Sequence, residues 1–272
     1  MKSIQRCSLR SCWPHVVLTL ATLTLAACAN QQKAHDPVSK QIRLDQPLAL
    51  FSNNPPQGLP EGWEPLIFMH QKKATEYALV NDAQRHQTVL HAYADKASSG
   101  LRHVVNIDPL KRPWLSWTWK AGSLIKTADN TRRDTEDSPV RIVLAFDGDK
   151  SKLSFMDTIL FDTAKLLSGH DFPYATLMYI WENKAPKETI IANTRTGRIQ
   201  MLVAESGAAN VGKWVSYQRN IVDDYVKVFG EPPGRLLAVG VLTDTDNTEE
   251  QVEAWYGDIH LLPHPSNNVA AP

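Results

Sequence analysis

Four aromatic residues on two apolar runs are the first candidates for chemistry: Trp117 and Trp119 in Leu115–Lys120, and Tyr179 and Trp181 in Leu177–Glu182. Flat rings on a sheet face stack against the apolar face of a sugar, and the same rings equally fill the inner face of a β-sandwich. Arg141 shares a strand face with Val143 and Ala145, so its guanidinium needs a partner. Asp137 or Asp134, just upstream, offers a bidentate carboxylate; the pair is then either structural or an anchor for a ligand. Trp117, Trp119, Arg141, Tyr179 and Trp181 together make the expected ligand-binding face. Asp134, Asp137, Glu182 and Glu205 are the suspects for a hydrolytic carboxylate pair, which meets in space and leaves no spacing in a sequence. No nucleophile elbow, phosphate loop or dinucleotide fingerprint is present.

Asp244 and Asp246, with Asp258 on the last strand, suggest a structural calcium site. The run Asp244–Thr248 begins like a calcium loop but lacks the glycine and the later glutamate of an EF-hand; Asp and Asn after a strand are also ordinary turn formers. His70, His86, His91, His103 and His170 are scattered without the spacing of transition-metal ligands. No other cofactor is expected.

The amino end reads as an address. Lys2, Arg6 and Arg10 precede an apolar stretch, Val16–Ala27, too short for a mature spanning helix. It ends Leu25-Ala26-Ala27-Cys28, which resembles the lipobox of bacterial lipoproteins. By that resemblance residues 1–27 are a signal peptide, Cys28 carries the acyl chains, and Ala29 directs the protein to the periplasmic face of the outer membrane. The other reading is a plain cleaved leader with a chance cysteine. Cys7, Cys12 and Cys28 are the only cysteines, so the exported domain has no disulfide and must rely on packing. Removing 27 of 272 residues leaves 245, enough for one large β domain. The 29 basic residues then fall by three to 26 against 29 acidic ones, and no basic stripe is visible, which argues against nucleic acid as a partner. The oligomeric state is not legible.

These residues require a sheet to hold them. Trp114–Lys120 alternates, Leu115, Trp117 and Trp119 on one side and Trp114, Ser116 and Thr118 on the other. Residues 28–47 read as a tether, 48–264 as the folded domain and 265–272 as a loose tail. Strands are expected at 48–51, 66–69, 76–80, 88–94, 101–107, 141–146, 174–182, 199–205, 214–222, 236–242 and 255–262. Leu153, Met156, Leu160, Ala164 and Leu167 recur at helical spacing, and residues 223–230 make a shorter helical piece ending at Gly230. A dozen short strands with minor helix predict an all-β fold, an antiparallel β-sandwich of jelly-roll type.

Several stretches together resemble a bacterial family of unknown function, the one numbered 3047 among such domains. They are Leu59–Trp63, Ala97–Leu101, Leu115–Trp119, Asp137–Phe146, Tyr179–Trp181, Trp214 with Arg219-Asn220 and Asp224-Tyr225, Phe229-Gly230, Asp244–Thr248 and Tyr256–Ile259. The family brings no activity with it; the segment from Leu153 to Gly169 falls outside the pattern. The layout is also similar, more weakly, to jelly-roll carbohydrate-binding modules. That analogy implies a non-catalytic, lipid-anchored envelope protein that binds a glycan or similar ligand. The alternatives are a glycan-cleaving enzyme on the same scaffold and an envelope assembly factor that binds protein partners.

Overall fold

The computed structural model describes residue 48 and residues 50–67, 72–168 and 171–266. The leader, Cys28, the tether to residue 47, His70, His170 and the tail from 267 lie outside the described residues. Thirteen strands and two α-helices are found among those described: β1 (Glu64–Leu66), β2 (Glu76–Asp82), β3 (Gln87–Asp95), β4 (Ser98–Ile107), β5 (Trp114–Ala121), β6 (Ser138–Phe146), α1 (Phe155–Ser168), β7 (Ala175–Glu182), β8 (Ile190–Ala192), β9 (Ile199–Ser206), β10 (Val215–Asn220), α2 (Ile221–Phe229), β11 (Leu236–Asp244), β12 (Gln251–Tyr256) and β13 (His260–Leu262). They form two facing sheets, so the all-β sandwich is observed. The first sheet runs β1-β4-β11-β6-β7-β9-β8, and the second runs β10-β5-β12-β3-β2 with β13 added beside β5. One pairing departs from the antiparallel expectation: β7 and β9 run parallel. β7 is buried along its whole length, the condition under which parallel neighbours and unbroken apolar runs occur.

Alternation in β5 is as the sequence predicts. Leu115, Trp117, Trp119 and Ala121 face inward and are buried, while Trp114, Thr118 and Lys120 face outward. Trp117 lies between two phenol rings, Tyr179 of the first sheet at 4.9 Å and Tyr217 of β10 at 5.2 Å, both nearly parallel to it. Trp119 meets Trp117 and Tyr217 edge-on. Each phenol keeps its hydroxyl satisfied at the rim: Tyr179 donates to Asp224 at 2.7 Å and Tyr217 to Glu205 at 2.5 Å.

Several boundaries differ from the sequence reading. Phe51–Asn53 is a 3-10 turn rather than a strand, because its backbone closes on itself from Leu50. The stretch 214–222 ends as a strand at Asn220, whose side chain accepts from the amides of Val222 and Asp223 and so starts α2. Gly230 closes that helix with φ 72°, a value glycine adopts without cost. The stretch 255–262 is two strands, β12 and β13. Helix α1 forms where its period predicts, yet Met156 is 71% exposed, as are Phe155 and Leu166 to a similar degree. Its buried contact is Phe161, stacked on Phe172 at 5.8 Å.

Candidate ligand-binding site

A bulge positions the charged residues of the first sheet. The register of β11 against β6 slips between Leu242 and Asp244, leaving backbone groups that Tyr256 from the second sheet satisfies. Its hydroxyl donates to the Leu242 carbonyl at 2.8 Å and accepts from the Arg141 amide at 3.3 Å. Asp244 is thereby set beside Arg141, whose Nε and Nη2 reach its two oxygens at 3.1 and 3.2 Å. The guanidinium also donates to the Glu136 carbonyl and to the Met201 sulfur. Its carboxylate partner is therefore Asp244, and not the expected Asp137 or Asp134: a partner 103 residues away displaces the local ones. Asp134 sits in an exposed pair with Arg132. Asp137 is buried, and its oxygens accept from the amides and side chains of Asn247 and Thr248.

Asp137, Asp244 and Asp246 place one oxygen each within 4.8 Å of one another. Asp258 does not join them; it accepts from the amide and hydroxyl of Ser52 and so fixes the 3-10 turn. The cluster is met by two cations of the chain, Arg141 on Asp244 and Lys72 on Asp246. A calcium ion, which takes six to eight oxygens, would have to compete with both. Burial, opposed by Arg141 and reinforced by Asp137, pushes the Asp244 carboxyl up to about 7.

The structure buries the other expected site residues. Trp117, Trp119, Arg141, Tyr179 and Trp181 are each at most 1% exposed, so none presents a face to a ligand. Burial of a flat ring on both sides removes the surface on which a sugar stacks. Glu182 caps the turn after β7, accepting from the amides of Lys184 and Ala185. Glu205 accepts from Tyr217, Lys187 and Asn210. Both are buried within structural bonds. His91 lies on Trp255 and beside Glu253, and His103 meets Trp63 edge-on.

A cavity of about 210 Å³ opens instead on the outer face of the first sheet. Its floor is made by Val143, Ala145, Thr176, Met178, Ala238 and Gly240, its walls by Pro65, Leu66, Ile67, Phe172, Pro173 and Ile199. Small residues at 145, 238 and 240 leave the space. The Phe161 contact of α1 holds Phe172 as a wall, and the bond from Thr196 to Asp157, 2.5 Å, ties that helix to the loop before β9. Among the described residues two charged ones line the cavity, Arg102 and Asp171, and each is already paired, with Glu64 and Lys165 respectively, at 2.8 Å. The Arg141–Asp244 pair lies farther along the same face, one inward-outward repeat or about 7 Å beyond Val143. Sequence reasoning missed this cavity. Its signal was the interruption of the apolar runs 141–146 and 236–242 by alanine and glycine.

A family model described as DUF3047, a protein of unknown function, matches residues 61–260. The chain belongs to the DUF3047 family. No curated protein matches it. Among solved structures it is similar to one titled as the structural analysis of an exo-β-agarase, with 9% identity and a TM-score of 0.36. That match covers 81% of this chain and 25% of the agarase chain, so the DUF3047 chain spans about a quarter of it. A likeness of that size bears on no argument about activity.

Asp244 gives a pH signature within this DUF3047 fold. A carboxyl that binds its proton more tightly when folded stabilises below its ordinary value of 3.8 and loses that contribution as pH rises through about 7. His91 and His103, held below the ordinary imidazole value by burial, act in the opposite sense. The difference between wild type and Asp244→Asn therefore isolates the aspartate. Chemical denaturation is expected to show the variant less stable than wild type at pH 5, where wild type gains most from holding its proton. That deficit is expected to shrink from pH 5 to pH 8. A deficit that grows over this range would contradict the raised carboxyl.

Proposed function

We propose that this protein is a lipid-anchored, non-catalytic binding module of the cell envelope, and that the cavity on the outer face of the first sheet receives an apolar group of its ligand. The observation that carries the reading is the cavity itself, with its aliphatic and Phe172 lining. Preformed concave sites with few polar groups are the usual form of small-ligand sites. The space is somewhat larger than the ~150 Å³ cavity that admits benzene, and so suits one ring or a short stretch of acyl chain rather than an oligosaccharide.

Hydrolysis of a glycosidic bond calls for two carboxyl groups flanking the bond. Among the described residues Asp171 is the single carboxylate in the lining, and Lys165 holds it. This favours binding over cleavage. The anchoring part of the proposal rests on the Leu25–Cys28 motif. No described helix is long and apolar enough to cross a membrane.

Titration with the neutral fluorophore N-phenyl-1-naphthylamine tests the cavity. Saturable enhancement is expected for the wild type, weakened about tenfold or more in Ala145→Leu, whose added carbons occupy the space, with the melting temperature retained. Unsaturable binding, or equal binding by the filled variant, would remove the proposal. The anchor has its own test: Cys28→Ser is expected to shift the protein from the membrane pellet to the soluble fraction. A variant that stays with the membrane would contradict attachment at that residue.

A further inference from the structure

The outer face of the second sheet carries a cluster that the core, the acidic group and the cavity do not use. Trp255 on β12 stands opposite Lys120 of β5 on one side and His91 of β3 on the other. Trp214, just before β10, adjoins Val215, which pairs with Trp119, the neighbour of Lys120. The result is one transverse row: Trp214, Lys120, Trp255, His91. Both indoles are half-buried.

The row is held in place before any ligand arrives. Asp82 accepts from the Trp214 indole N–H at 3.2 Å, from the Lys120 ammonium at 3.2 Å, and from the amides of Gln84 and Arg85. Lys120 lies 4.2 Å from the Trp255 ring centre and 5.2 Å from that of Trp214. The charge of Lys120 is thus answered by Asp82. Arg85 is different. Its guanidinium lies 5.0 Å from the Trp214 ring centre, forms no ion pair among the described residues, and its Nε has no hydrogen-bond partner. Thr118 Oγ1, which Gly257 approaches so closely that a Cβ there would collide with it, also lacks a partner. Lys120 is met by Asp82 and Glu253 lies beside His91, so the unpaired positive charge is that of Arg85, at the Trp214 end of the row.

We propose that this face binds an acidic saccharide: the indoles at 214 and 255 take the C–H face of a sugar ring, and Arg85 takes its carboxylate. Indole faces match the apolar side of a pyranose, and a free guanidinium beside them selects a carboxylate over a hydroxyl. A neutral sugar leaves Arg85 unanswered, and a simple polyanion leaves the indoles unused. The proposal is independent of the cavity, which lies on the other sheet.

Native affinity electrophoresis of the full-length chain in detergent tests it, with gels containing polygalacturonate, alginate or hyaluronate. Dextran serves as the neutral sugar polymer and polyacrylate as the polyanion without sugar. Retardation is expected in at least one uronate gel, stronger than in dextran or polyacrylate and reduced by salt. Arg85→Gln and Trp214→Ala are each expected to weaken it about tenfold. Arg85→Gln removes no ion pair, so its melting temperature is expected to stay at the wild-type value and to keep the result readable if Trp214→Ala folds poorly. Absence of retardation in all three uronate gels, equal retardation in polyacrylate or dextran, or unchanged retardation by Arg85→Gln would overturn the proposal.

Discussion

The stack of Trp117 between Tyr179 and Tyr217 is the contact on which the rest of the molecule depends. It joins the two sheets through rings alone, and large flat side chains bury more apolar area per residue than any alternative. With no cysteine among the described residues, packing of this kind must hold the sandwich without cross-links. The cost is that each phenol hydroxyl must find an acceptor at the rim. Glu205 and Asp224 provide them, and both carboxylates are anchored in turn, Glu205 by Lys187 and Asp224 by Arg219.

Once the aromatic rings are committed to the interior, the outer faces are left to meet solvent. The two faces differ in chemistry. On the first sheet small residues leave an apolar hollow, and a charged group beyond it is closed on itself by Arg141, Lys72 and the bulge in β11. On the second sheet two indoles flank Lys120 in one row, fixed from below by Asp82. Among the described residues neither arrangement brings two carboxyl groups to an open cleft.

Much of the fold was legible because period-two alternation is local information. Trp114–Ala121 told its own two faces apart, and the run 236–242 told of a central strand, since β11 lies between β4 and β6. Which of the two faces points inward is a property of the partner sheet, and a strand does not carry it. The rings at 117, 119, 179 and 181 were therefore readable as aromatic and not as buried. Arg141 announced its need for an anion, but Asp244 became the answer only through a register slip more than 100 residues downstream. Asp258 shares the residue type of the cluster and not its place, because Ser52 claims it. The second face had left a trace: in β12, Ala254 and Tyr256 are apolar on one side, so Trp255 stands with Gln251 and Glu253 on the polar side. An indole on the polar side of an alternating strand is the feature that points outward.

The division of the tryptophans into an enclosed set and a presented set is the central claim, and hydroxyl-radical footprinting read by mass spectrometry tests it most directly. Trp214 and Trp255 are expected to be oxidised many times faster than Trp117, Trp119 and Trp181 in the folded protein, with the difference lost in denaturant. Comparable rates across all five in the folded state would contradict the account.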